Sequence, residues 1–175
     1  MLYGRAGENI PRFCLMTKGV KYLRVFAALL LPALLFFLLR PAVLVTGDAG
    51  TIAAVPCRRE LPITIRFIHS VQKTPVEEDL ALDHAWGGFV LKRTRYQSFG
   101  VGLPFLESEG NFRHEGDYFV LDGMERHFPS LSLRTGVGTQ LTLMLDGQEY
   151  RLYEKLPPGS RINLLVAPYY KALIQ

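Results

Sequence analysis

Between Val25 and Leu39 fifteen residues pass without a charge, and Arg5, Arg12, Lys18, Lys21 and Arg24 precede them with only Glu8 in opposition. No other feature restricts the fate of the chain so strongly. A run of that length matches a long signal-peptide core and falls short of the ~20 apolar residues that cross a bilayer straight. Beyond Arg40, Pro41-Ala42-Val43-Leu44-Val45 continues the apolar character, and an arginine at that place can snorkel toward an interface. The expectation is a transmembrane anchor or signal segment over residues 25–45, behind a basic cytoplasmic flank over residues 1–24. No lipobox cysteine follows, and the best cleavage candidate, Val45-Thr46-Gly47, is only fair. An uncleaved anchor is the preferred reading and a cleaved signal its rival. Either way the positive flank stays in the cytoplasm and residues 51–175 are exported. Met16-Thr17-Lys18 opens directly on a charged segment, so Met16 competes with Met1 as the start.

The net charge of +4 is accounted for before the apolar run ends. From Pro41 onward 14 basic side chains face 15 acidic ones. A near-neutral domain lacks the positive face that phosphate binding requires, which argues against a nucleic-acid partner. The two cysteines, Cys14 and Cys57, flank the apolar run, so a bilayer between them forbids an intrachain disulfide. Two cysteines cannot make a Cys-based metal site, and His84, His114 and His127 lack metal-ligand spacing. No cofactor is expected.

The exported part reads as strands. Ile63, Ile65, Phe67 and His69 alternate onto one face, as do Val76, Glu78, Leu80 and Leu82. A hairpin that sets His69 opposite Val76 pairs Phe67 with Glu78, Ile65 with Leu80 and Ile63 with Leu82, so the apolar faces coincide. Phe89–Ser98 follows as a third strand after the Trp86-Gly87-Gly88 turn. Leu141, Leu143 and Leu145 run up to Asp146-Gly147, a strong hairpin turn that sets Tyr150 opposite Leu143 and Leu152 opposite Leu141. Residues 116–122, 131–134 and 161–166 supply further short strands. The fold class is all-β: a single antiparallel β-sandwich or open barrel, preceded by one N-terminal transmembrane or signal helix.

Two stretches stand out. In His69-Ser70 through Thr74-Pro75-Val76-Glu77-Glu78, Glu78 lies on the apolar side of its strand. An inward carboxylate needs a partner or it protonates; His69 is the nearest candidate, with Arg93 and Arg95 as rivals. Tying the hairpin to the core rim is the plainest role for this pair, ahead of ligand contact. Ser70 beside His69 suggests a nucleophile and base, but adjacent strand residues face opposite ways. In Ser98-Phe99-Gly100-Val101-Gly102-Leu103-Pro104, two glycines and a proline permit a sharp turn with consecutive free N–H groups. A bulged loop at a sheet edge is the plainer reading, since the lysine and helix of a P-loop are missing. The Pro168-Tyr169-Tyr170-Lys171 tail suits a membrane interface or packing on the domain equally.

Together these stretches resemble the domain-of-unknown-function family eighteen-fifty, over roughly residues 51–166. The resemblance marks His69, Ser70, Pro75, Glu78, Ser98, Gly100, Gly102 and Pro104 as the family's characteristic positions. It implies a small bacterial protein, exported or anchored in the inner membrane, whose genes accompany TAXI-type TRAP transporters for organic acids. The expected function is a non-enzymatic, membrane-anchored periplasmic accessory protein of such a transporter. The partners are the inner membrane and the transporter subunits, contacted through the edge carrying His69, Ser70, Pro75, Glu77, Glu78 and the glycine loop. A periplasmic module that binds a small ligand or ion is the alternative, and a hydrolase built on His69 with Glu77 or Glu78 a distant third.

Overall fold

A computed structural model of the chain describes residues 13–98 and 107–174. They fall into two units, residues 1–38 and residues 39–175.

Helix α1, Phe13–Leu39, lies in the first unit save for its last residue. Its apolar part, Val20–Leu39, has 20 residues and a mean hydropathy of 2.3, with its leucines and phenylalanines exposed save for the half-buried Leu38. Twenty residues at 1.5 Å rise cover ~30 Å, the thickness of a hydrocarbon core. The helix therefore has the length and composition of a membrane anchor or a signal sequence. It gains the missing turn at its start, where Val20–Arg24 joins the uncharged run despite Lys21 and Arg24.

The second unit is all-β. In chain order its strands are β1 Pro41–Gly47, β2 Gly50–Pro56, β3 Ile63–Ile68, β4 Pro75–Leu82, β5 Phe89–Tyr96, β6 Asn111–Glu115, β7 Tyr118–Phe128, β8 Ser130–Arg134, β9 Thr142–Leu145, β10 Gln148–Arg151 and β11 Arg161–Pro168. They form a four-stranded sheet, order β2-β1-β11-β8, and a seven-stranded one, order β10-β9-β3-β4-β5-β7-β6, with every pairing antiparallel. Of the two architectures the sequence allows, this is the sandwich. Val43, Val45, Ala53, Ile162 and Leu164 of the small sheet share one core with Ile63, Ile65, Leu80, Phe89, Leu121, Leu143 and Leu145 of the large one. Each buried Val, Leu, Ile or Phe among them contributes roughly 1.5–3 kcal/mol on burial.

Two boundaries differ from the sequence reading. Pro41–Val45, expected to extend the anchor, is strand β1, and the β domain begins there and not at residue 51. Ala42, Val43, Leu44 and Val45 are all 0% exposed, because both faces of this strand are covered. Val43 and Val45 enter the main core, while Ala42 and Leu44 pack under Tyr169 and Ala172. A strand buried on both faces has the same uninterrupted apolar pattern as a membrane segment.

The β3–β4 hairpin is slipped by two residues from the expected register. Phe67 pairs with Val76, Ile65 with Glu78 and Ile63 with Leu80. Its loop closes tighter than expected. His69 and Thr74 pair directly through His69 N–H to Thr74 O (2.9 Å), Lys73 N–H returns to His69 O (2.9 Å), and Lys73 takes a left-handed φ of 55°. A slip of two preserves which side chains face the core. The second hairpin forms as expected, with Tyr150 opposite Leu143 and Asp146-Gly147 at φ of 55° and 76°. Leu152 N–H bonds Leu141 O at 3.0 Å, but there the chain turns into a one-turn helix, Leu152–Lys155.

Candidate functional site

Two loops and Ser98, the first residue of the glycine stretch, meet at one end of the sandwich. Ile68 N–H donates to Thr139 O at 2.6 Å, joining the His69–Thr74 loop to the Gly136–Gln140 turn. The hydroxyls of Thr74 and Ser98 lie 2.9 Å apart, which brings the start of the third segment alongside. Gly100, Gly102 and Pro104 lie outside the described residues. The two described loops each raise a valine into solvent, Val71 at 67% and Val137 at 85% exposure.

This end is the one remote from the start of β1. At the other end of β3, Asp146 N–H bonds Pro62 O at 3.1 Å, and Arg58 pairs with Asp146. Arg40, Pro41 and Cys57 line the same recess as those two side chains. The motif loops and Arg40 thus lie a strand's length apart.

The polar motif residues differ in what the fold does with them. His69 is buried, and its Nδ1 accepts the N–H groups of Val71 (3.3 Å) and Gln72 (3.2 Å), so the ring shapes its own loop. Ser70, in the turn beyond β3, is exposed whereas His69 is buried. Pro75 opens β4. The register puts Glu78 across from Ile65, four residues before His69, a separation of ~13 Å at strand rise. The His69–Glu78 pair expected from the sequence therefore does not form. Arg93 and Arg95, its suggested rivals, face away onto the outer side of the sheet, opposite Asp79 and Glu77. The cation that acts on Glu78 is Arg126 of β7, and burial still pushes the Glu78 carboxyl above its ordinary pKa. Arg126 also donates to Glu109 Oε1 at 2.6 Å.

The outer face of the large sheet carries a charge ladder. Arg66, Glu77 and Arg95 are cross-strand neighbours, as are Thr64, Asp79, Arg93 and Asp122. Glu77 pairs with Arg66 at 3.1 Å and Arg95 at 3.5 Å; Asp79 accepts from Arg93 at 2.6 Å and Thr64 at 2.7 Å. Arg95 also stacks over the Tyr118 ring at 3.6 Å. Such half-exposed pairs contribute about 0.2–1 kcal/mol each.

Where this face meets the motif loops there is an open pocket of about 380 Å³, lined in part by Pro75, Val76, Glu77, Thr142 and Tyr153. Thr142 of β9 sits directly between Arg66 of β3 and Arg151 of β10 in the cross-strand row. Sequence reasoning missed Arg66, Thr142, Arg151 and the Gly136–Gln140 turn as parts of this edge. The Gly-Val-Gly-Thr run is a visible turn signal, but its partner, the β3–β4 loop, is apparent only once β9 pairs with β3. Among the described residues no three His, Cys, Asp or Glu side chains converge as metal ligands.

A family model, Domain of unknown function (DUF1850), matches residues 63–152, which spans β3 to β10 and both described loops of this end. No curated protein and no solved structure matches the chain.

Proposed function

The chain belongs to the family of the domain of unknown function DUF1850, and on that premise we propose that it is a membrane-tethered, non-enzymatic adaptor working outside the cytoplasm beside a TAXI-type TRAP transporter. The observation that carries the tether is the junction at Arg40. Helix α1 ends at Leu39 and β1 starts at Pro41, leaving one residue between them. The cleavage candidate Val45-Thr46-Gly47 falls inside β1, which lies between β2 and β11. Cutting there removes a central strand with four fully buried side chains, so a folded domain and a cleaved signal exclude one another at this site. The basic flank stays cytoplasmic and the β domain faces the periplasm.

The adaptor reading rests on the motif end. His69 shapes its own loop through Nδ1 and its backbone bonds Thr74, while Ser70, the hydroxyl beside it, is exposed. The loops raise Val71 and Val137 at the end remote from Arg40, where a transporter subunit or its solute-binding protein can reach them. Exposed apolar tips on a rigid edge suit docking. The test is co-purification from detergent using the full chain and the Val71→Asp/Val137→Asp double variant. The transporter subunits should accompany the first and be lost from the second at unchanged thermal stability. Their absence from both preparations contradicts the reading.

A second reading has one specific support, the Arg66–Thr142–Arg151 row beside the pocket. Arg66 is paired with Glu77 and Arg151 with Glu149 and Glu154, so a small carboxylate would bind by competing with these side chains for the two guanidiniums. An organic acid bound there raises the melting temperature by mass action, and Arg151→Ala abolishes that rise. No shift across a panel of organic acids removes this reading.

A further inference from the structure

We propose that the segment Tyr169–Ile174 is a second membrane contact, laying Tyr170, Leu173 and Ile174 into the headgroup layer. It rests on the reading of α1 as a retained anchor. Strand β11 ends at Pro168, and the next N–H, that of Tyr169, donates to Arg40 O at 2.9 Å. Arg40 is the first residue after α1. The segment therefore begins one hydrogen bond away from the point where the chain leaves its apolar helix.

Its local geometry sorts its side chains. Tyr169–Leu173 is a 3-10 helix, in which residues i and i+3 lie above one another. Tyr169 and Ala172 pack on Ala42, Leu44 and Ala167, which turns Tyr170 and Leu173 outward. Their exposures are 36% and 67%, and Ile174 follows at 75%. From residue 40 onward, only Val71 and Val137 among the described residues are comparably exposed large apolar side chains, and both sit at the far end. Three apolar side chains gathered at the anchor end, with Lys171 and Arg40 beside them, match the aromatic, aliphatic and cationic mixture that partitions into a bilayer interface.

The test uses the full chain in nanodiscs of phosphatidylcholine and phosphatidylglycerol with brominated acyl chains. Single tryptophans are introduced as Leu31→Trp in α1, Leu173→Trp in the segment and Val137→Trp at the far end, with the signal of the native Trp86 subtracted from each. All three positions are exposed, so the fold tolerates the change. Tryptophan at 31 should be strongly quenched, and at 173 quenched several-fold more than at 137. If 31 is quenched while 173 behaves like 137, the second contact is overturned and the anchor stands. If 31 is unquenched, the anchor fails and this inference falls with it.

Discussion

Glu78 is the residue whose chemistry the fold alters most visibly. Burial raises its pKa, and Arg126 offsets only part of that shift. A carboxyl with a raised folded pKa holds its proton longer in the folded state than in the unfolded one. Stability is therefore lost as pH rises from the unfolded value toward the folded one, and the cost is complete above it. Glu78→Gln should melt higher than the unsubstituted protein at pH 7 and melt alike at pH 4; thermal scans at the two values check it. Cys57 behaves similarly, its thiol pushed up to about 11 by burial. The thiolate is the reactive form, so maleimide labelling of Cys57 at pH 7.5 should be far slower in the folded protein than in urea. Gly88 is fixed by space: at φ +151° an added Cβ would lie 2.2 Å from Phe128 O. Gly88→Ala should cost more than about 1 kcal/mol, measured by urea unfolding. The inward position of Glu78 was legible from alternation alone. Its partner was not, because Arg126 comes from β7, reached through a bulged pairing with β5 that no local pattern announces.

At the scale of elements, the two hairpins explain what a sequence specifies and what it leaves open. The Asp146-Gly147 turn demands two left-handed residues in succession, which fixes loop length and hence register. The His69–Thr74 loop has no such constraint. Alternation has a period of two, so a slip of two residues leaves every side chain on its own face and is invisible to hydrophobic pattern. Strand β1 was hidden for a different reason: its solvent side is sealed by the Tyr169–Leu173 segment, which erases the polar half of the alternation. Its position predicts a sharp contrast between truncations. A chain beginning at Arg40 should fold, with a cooperative thermal transition. One beginning at Asp48 should not, since it lacks the strand between β2 and β11.

The whole molecule has a polarity. Positive charge is concentrated before Pro41 and the remainder is near neutral; Arg40 and the Tyr169–Ile174 segment mark one end of the sandwich, and the loops bearing Val71 and Val137 mark the other. On the proposed function, the first end is the one held at a membrane and the second the one a partner reads. The charge asymmetry and the general layout were legible in the sequence. The end bearing Val71 and Val137 was not, since it brings together residues near 70, 98 and 138 that only sheet pairing makes neighbours. The junction at Arg40 carries the proposed tether, and the intact mass of the protein recovered from alkaline-washed membranes tests it directly. A mass retaining all of Val20–Leu39, from a start at either Met1 or Met16, is the expected result. A soluble folded product beginning beyond Gly47 would contradict it.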